Sequence, residues 1–239
     1  RRAAKKYSQM EGLVLEMLDN ILHNRNVILD IRALQVKKDM PQLCIFLGSD
    51  LGFCGNLNNL VRRRLSESAQ DCEVITVGKK LRYFGSGNVL LHMTREDFVK
   101  DHRQLLEIMG RGLRNKSYSA IRLVYNHYHN SSEVEFVDKV IFPMPAGLFG
   151  EKMYTEDFVC EGDMQEILVD LVEPYLVYEL EIAAQVSLAA ENITRQNITT
   201  ESLKKIDERD ELARQAARRA RKDKEFAKVL DNYTTRNHY

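Results

Sequence analysis

Tryptophan is absent, and the 239 residues hold only four prolines and four cysteines. Cys44, Cys54, Cys72 and Cys160 contain no CxxC pair. That spacing speaks against a paired-cysteine zinc site or a disulfide framework, and suits small apolar side chains in a reducing compartment. Net charge is lacking as well, because 35 basic residues face 35 acidic ones. A chain built to grip a nucleic-acid backbone or an anionic membrane would carry an excess of Lys and Arg. No apolar run approaches the length of a bilayer span, so no direct membrane crossing is expected. The most consequential absence is local: from Tyr175 to Tyr239 there is neither glycine nor proline.

That stretch, rich in Ala, Glu, Lys, Arg and Leu, predicts one continuous helix, since nothing in it removes a backbone donor or favours a left-handed turn. Its length would be roughly 90 Å at about 1.5 Å per residue. No compact domain of this size needs such a helix, so part of it must lean on another element. The opening segment, a helix from Arg1 to about Leu34, is the partner within the chain. Met10, Val14, Met17, Ile21, Asn24 and Ile28 alternate spacings of four and three there, the seam of a coiled coil or the buried face of a surface helix. Two helical ends would clasp a middle domain, dividing the chain into 1–36, 37–162 and 163–239.

The middle alternates. Leu43–Leu47 is a continuous apolar run, the mark of a strand covered on both faces. The loop Gly48-Ser49-Asp50-Leu51-Gly52-Phe53-Cys54-Gly55-Asn56 follows, and then a helix from Leu57 to Ala69. A strand over Val74–Val77, a short helix over Lys79–Phe84, a strand over Val89–Leu91, a helix over Arg95–Leu113 and a strand over Ile121–Tyr125 continue the pattern, which is α/β and Rossmann-like. Val134, Phe136 and Val140 among Glu133, Glu135, Asp138 and Lys139 predict an antiparallel edge strand with one wet face. Asp163 with Glu166 reads as an N-cap and its capping-box partner, and Pro174 as a kink ahead of the long run.

Candidate chemistry is sparse. Backbone amides in a glycine-rich strand-to-helix turn can cradle phosphate. A P-loop, however, needs Lys and Ser or Thr after its last glycine, where Asn56 and Leu57 stand. A dinucleotide fingerprint needs three spaced glycines, and only Gly52 and Gly55 fit. A tight turn with close helix packing is the plainer reading of these glycines. His127 and His129 would share a strand face and could ligate a metal, but no supporting ligand stands at a suitable spacing. There is no nucleophile elbow and no carboxylate pair set apart by its surroundings, so neither catalytic residues, a cofactor nor a metal is expected. The basic cluster Arg218, Arg219, Arg221, Lys222 and Lys224 follows the acidic Glu208, Asp210 and Glu211, which suits a solvated helix face better than a DNA-binding region.

The loop Ser49-Asp50-Leu51-Gly52-Phe53-Cys54-Gly55 resembles the SDRGLCG signature of the gamma subunit of F-type ATP synthases. Tyr125-Asn126 with Phe142-Pro143 is similar to that family's YN…LP strands. Pro174-Tyr175-Leu176 and Leu188-Ala189-Ala190-Glu191 resemble its LPRYL…ASE approach to the last helix. The resemblance spans most of the chain and implies a non-catalytic rotor shaft, a long antiparallel coiled coil of the terminal helices carried on an α/β foot. Its implied partners are the alpha and beta subunits of the catalytic ring, an epsilon-type subunit and the membrane c-ring. It also implies a peripheral place on the cytoplasmic, matrix or stromal face of an energy-coupling membrane, and coupling of ATP synthesis or hydrolysis to proton or sodium flow. The signature residues are Ser49, Asp50, Gly52, Cys54 and Gly55. Matching the family's ARQA letters in the last helix implies a beta-subunit contact at Arg221 and Lys222 in gapless register, or at Arg214 and Gln215 one heptad earlier.

Three departures stand out. The family carries a further helical stretch, rich in Lys and Met, ahead of the part resembling Arg1-Arg2-Ala3-Ala4, so a truncated or divergent start is expected. Leu51 replaces the signature Arg, and Asn232 to Tyr239 is polar where the family is apolar. A gamma-like paralogue acting as a stand-alone interaction protein stays open on these grounds. So does an α/β enzyme using the glycine loop on a phosphorylated ligand.

Overall fold

A computed structural model describes residues 2–23, 36–82, 87–130, 133–144 and 162–236. In chain order these form α1 (Arg2–Leu22), β1 (Gln42–Leu47), α2 (Leu57–Ser68), β2 (Cys72–Val77), a 3₁₀ turn (Lys79–Leu81), β3 (Val89–Met93), α3 (Arg95–Lys100), α4 (Arg103–Arg114), β4 (Ala120–Asn130), β5 (Glu133–Phe142) and α5 (Met164–Arg236). The strands make one sheet in the order β3-β2-β1-β4-β5. The first four are parallel and β5 closes the β4 edge antiparallel, as expected; its charges lie on both faces, Asp138 pairing with Arg64 of α2 and Lys139 with Glu179 of α5.

Alternation along β1 sorts the core into two layers. Leu43, Ile45 and Leu47 join Ile75, Val77, Ile121, Leu123 and Tyr125 under α1, α3, α4 and α5. Cys44 and Phe46 face the other way with Val74 and Val124, against Val61 and Leu65 of α2. Helices therefore cover both faces of the central strand, which accounts for its uninterrupted apolar run.

The structure corrects two details of the sequence reading. The helix expected over Arg95–Leu113 is two helices parted at Asp101, whose backbone is extended at φ −162° and ψ 110°. Thr94 and Asp97 form a capping box at the start of α3. Asp101 Oδ1 then accepts from the Arg103 amide at 3.0 Å, while the His102 ring stacks on Phe98 at 4.6 Å. Local side-chain bonds to the backbone thus offer the chain a second start in the middle of an apolar period.

The seam of α1 is the second correction. Leu18 and Ile21 are buried and Val14 and Leu15 pack beside them, whereas Met10 and Met17 are 36% and 52% exposed. The buried frame is Tyr7, Glu11, Val14, Leu18 and Ile21; it keeps the alternation of four and three but puts Glu11 where the sequence reading put Met10. Tyr7 lies against Tyr178 and interacts with Glu181, while Glu11 reaches Glu179, so α1 packs against α5. The remainder of that seam, Asn24 and Ile28, lies outside the described residues, as do Phe84 and Cys160.

Pro174, expected as a kink ahead of the long run, lies inside α5, which is 73 residues long. The chain divides into two compact units, Arg1–Arg195 and Gln196–Tyr239. In the second, every residue from Glu201 to Tyr233 is exposed. Among the described residues no helix is long and apolar enough to cross a membrane.

Candidate functional site: the glycine loop and its anchors

β1 ends at Leu47, and the chain must turn at once because the 3₁₀ turn lies across its end. A Cβ on Gly48 would stand 2.4 Å from Leu81 Cγ, so only glycine fits there. Gly55 adopts φ 54°, in the left-handed region where glycine alone is unstrained. Gly52 has neither constraint: open space surrounds its Cα and its φ is not left-handed. Phe53 takes φ 60° at a cost that glycine would not bear, and its ring is 78% exposed.

The signature side chains are spent on holding this turn. Asp50 Oδ1 accepts from the Lys79 amide at 2.8 Å and from the Arg95 amide at 3.0 Å, tying the loop to the ends of β2 and β3. The buried Ser49 donates its hydroxyl to Leu51 O at 2.8 Å, and its amide donates to Asn58 Oδ1 at 3.1 Å. Asn58 Nδ2 returns a bond to Ser49 Oγ at 2.7 Å, so α2 reads both polar groups of one serine. The Cys54 thiol is buried beneath the turn, 3.3 Å from Gly52 O.

Two arginines carry the loop onto α5. Arg95 is buried, and its guanidinium donates to Gly48 O, to Ala184 O and to Ser187 Oγ, each at 3.0 Å. Burial pulls its pKa down, while Glu191 and Asp50 oppose that pull. Arg195 comes from α5 itself: Nε lies 3.3 Å from Gly52 O, and the same guanidinium pairs with the buried Glu191 and reaches Cys54 Sγ at 3.5 Å. Leu51, where the resemblance places an arginine, is exposed, and the loop takes its positive charge from α5 instead. No sequence signal marks Arg95, Arg195 or Asn58, because each meets the loop only through the fold.

What remains between the loop, β4 and α5 is a cavity of ≈ 10 Å³, lined by Gly48, Ser49, Asn58, Asn126, Ser187 and Glu191 among others. That is about the room of one water, too little for a phosphate. Gly48 serves close packing and Gly55 the turn, and the loop amide of Ser49 is already bonded within the protein.

The remaining candidates sit elsewhere. Arg214, Gln215, Arg221 and Lys222 are all exposed on α5, with Gln215 Nε2 donating to Glu211 Oε1 at 3.3 Å. Arg214 and Arg221 lie nearly on one helical face, roughly 10 Å apart along it. His127 and His129 do share a strand face, with ring centroids 4.4 Å apart. The strand opposite supplies a carboxylate that spacing could not reveal: Glu135 pairs with His127 in register and takes His129 Nε2 at 2.7 Å. Among the described residues, no three His, Cys, Asp or Glu side chains are placed to hold a metal ion.

Comparison with known proteins agrees with this architecture. A family model described as ATP synthase matches residues 1–225. The ATP synthase gamma chain of Clostridium perfringens is 25% identical over 213 residues, covering 84% of this chain and 72% of the relative. That of Legionella pneumophila is 24% identical over 204 residues, covering 78% and 71%. Among solved structures, a chain of the Euglena gracilis mitochondrial ATP synthase is similar at a TM-score of 0.55 and 16% identity, over 98% of this chain and 89% of its own. A chain of the Tetrahymena thermophila mitochondrial ATP synthase central stalk and c-ring gives 0.52 and 17%, over 83% and 99%.

Proposed function

This chain belongs to the ATP synthase gamma-chain family, a non-catalytic rotor subunit, and from that premise we propose that it is the central shaft of an F-type ATP synthase. ATP is made or split on beta subunits of a surrounding alpha–beta ring, and turning of this chain couples that chemistry to proton or sodium passage through a c-ring. An epsilon-type subunit joins the foot, and the whole rotor sits peripherally on an energy-coupling membrane. The functional parts are the shaft helix 1–36, the foot 37–162 and the shaft helix 163–239.

The observation that carries this reading is α5: one helix of 73 residues, anchored to the sheet by Arg95 and Arg195 at its buried stretch and exposed from Glu201 to Tyr233. A shaft needs both properties. Its foot must not slip relative to the helix, and the helix must offer side chains to the ring. An eccentric shaft makes different contacts with three otherwise equivalent sites and so biases each toward a different state, a population shift driven by differential contact. Nothing in that role requires a tuned side chain on this chain.

Arg221 is the proposed contact with a beta-subunit carboxylate, partly desolvated in the assembly, where such a pair counts for more than on an open surface. Tagged chain should recover alpha and beta chains in threefold excess, and Arg221→Ala should lower rotation-coupled ATPase turnover in the reconstituted complex. If Arg214→Ala impairs coupling and Arg221→Ala does not, the contact lies one heptad earlier. Recovery of the chain without alpha and beta subunits would overturn the shaft and favour a stand-alone interaction protein.

A further inference from the structure

Glu11 is an acid in an apolar seam, and the groups around it explain how it is tolerated. It comes from α1 and hydrogen-bonds the side chain of Glu179 on α5. Glu179 is only 4% exposed, and its Oε1 accepts from Tyr175 OH at 3.2 Å and pairs with Lys139 Nζ of β5. A hydrogen bond between two carboxyl groups needs a proton on one of them. Charge requires the same. With one proton the pair carries a single negative charge that Lys139 balances; without it, two carboxylates share one cation in a half-buried place.

Among the described residues, Lys139 is the cation that acts on Glu11. From β4 comes Tyr125, which interacts with Glu179, Glu135 and Glu11, and from β5 come Lys139 and Glu135. From α5 come Tyr175 and, two residues past Glu179, Glu181. Glu181 interacts with Tyr7 of α1 and lies 3.0 Å from His102 Nε2 at the start of α4. The His102 ring faces Glu181 and not Glu11 or Glu179.

We propose that Glu11 and Glu179 share one proton and form a proton-binding site that clasps α1 to α5, closed while the proton is present and loosened when it leaves. The inference rests on the packing of α1 and is independent of the rotor reading. Burial and the neighbouring Glu179 hold the Glu11 carboxyl up to about 7, so the clasp responds near neutrality. The site takes nothing larger than a proton, and its input is therefore local pH. Loss of the proton sets two carboxylates against each other across the helix contact, at the first turns of α1, where no described residue ahead of Leu18 is fully buried.

The test uses the full chain with carbon-13 in the glutamate carboxyl groups. The resonance assigned to Glu11 should titrate with a midpoint near 7, well above the ordinary glutamate range. Hydrogen-exchange protection of α1 amides, corrected for intrinsic rates, should fall roughly tenfold between about pH 6 and 8. E11Q keeps a donor for Glu179 and should remove that fall, leaving α1 equally protected at both pH values. E16Q, at an exposed position of the same helix, should leave it intact. Midpoints in the ordinary glutamate range overturn the proposal, and this measurement on the unaltered chain decides even if E11Q fails to fold. An α1 protection that does not change with pH, or a fall that persists in E11Q, overturns it equally.

Discussion

Truncating Arg95 to alanine removes the guanidinium and leaves its backbone amide on Asp50 Oδ1, so the substitution isolates one anchor of the loop. Three acceptors lose a charged donor: Gly48 O on the loop, and Ala184 O and Ser187 Oγ on α5. Bonds to a charged group contribute about 1.5–3 kcal/mol each when taken singly. They share one side chain and do not add in full, and Ser187 can turn its hydroxyl to another acceptor. The adjoining cavity of ≈ 10 Å³ lets water enter the space vacated and recover part of the loss. The expected cost is about 3–5 kcal/mol, a large share of the roughly 5–15 kcal/mol that holds a typical domain. Urea unfolding of the Arg95→Ala chain reads it directly. Arg95→Lys keeps the charge with fewer donors and should lie between it and the unaltered chain. If Arg95→Ala costs less than about 1 kcal/mol, within the range of an exposed substitution, the guanidinium is not what fastens the loop to α5.

The two loop glycines should separate. Gly48→Ala drives a Cβ to within 2.4 Å of Leu81 Cγ and should lower stability by about 1–3 kcal/mol, whereas Gly52→Ala enters open space and should leave the thermal midpoint nearly unchanged. A nucleotide should find no home on the isolated chain: titration calorimetry with Mg-ATP should give no binding at micromolar concentration, because the cavity at the loop has room for about one water. Glu11 sets a pH dependence of stability. Its folded pKa is raised to about 7, so its contribution is full below the ordinary glutamate pKa and is lost as pH rises through about 7. The loss should be about 1–3 kcal/mol after screening, read as the difference in urea midpoint shift between the unaltered chain and E11Q from about pH 5 to 8.

The sheet and its α/β order were legible because buried parallel strands announce themselves as apolar runs, as Leu43–Leu47 does, and β5 announced its edge by mixing charges into its apolar pattern, with Asp138 paired to Arg64 of α2 and Lys139 to Glu179 of α5. Asp101 was illegible for a different reason. The apolar period runs straight through it, and what breaks the helix is a carboxylate bonding the Arg103 amide, a local competitor that periodicity does not register. Met10 attracted the seam of α1 because hydrophobicity alone decides such a frame, and Glu11 is hydrophobic only in company with Glu179 and a proton. The loop letters Ser49, Asp50 and Cys54 could be read, but their partners Asn58, Arg95 and Arg195 could not, since each reaches the loop from another element. Glu135 opposite His127 belongs to the same class, a neighbour in register and not in spacing.

Along α5 a single ladder of backbone bonds passes through two thermal regimes. As far as Glu191 one face of it is locked into the sheet's core, so those turns can melt only together with the domain, in one all-or-none step. From Glu201 to Tyr233 no side chain is buried, and order rests on helix propensity with scattered pairs such as Lys205–Glu201. A helix of that kind behaves as a polymer with a costly nucleus and frays from its free end over a broad range of temperature. The folded part supplies the nucleus without charge, so the outer turns need only propagate. Calorimetry of such a chain contains a sharp peak and a long sloping foot, and only the peak reports on the fold.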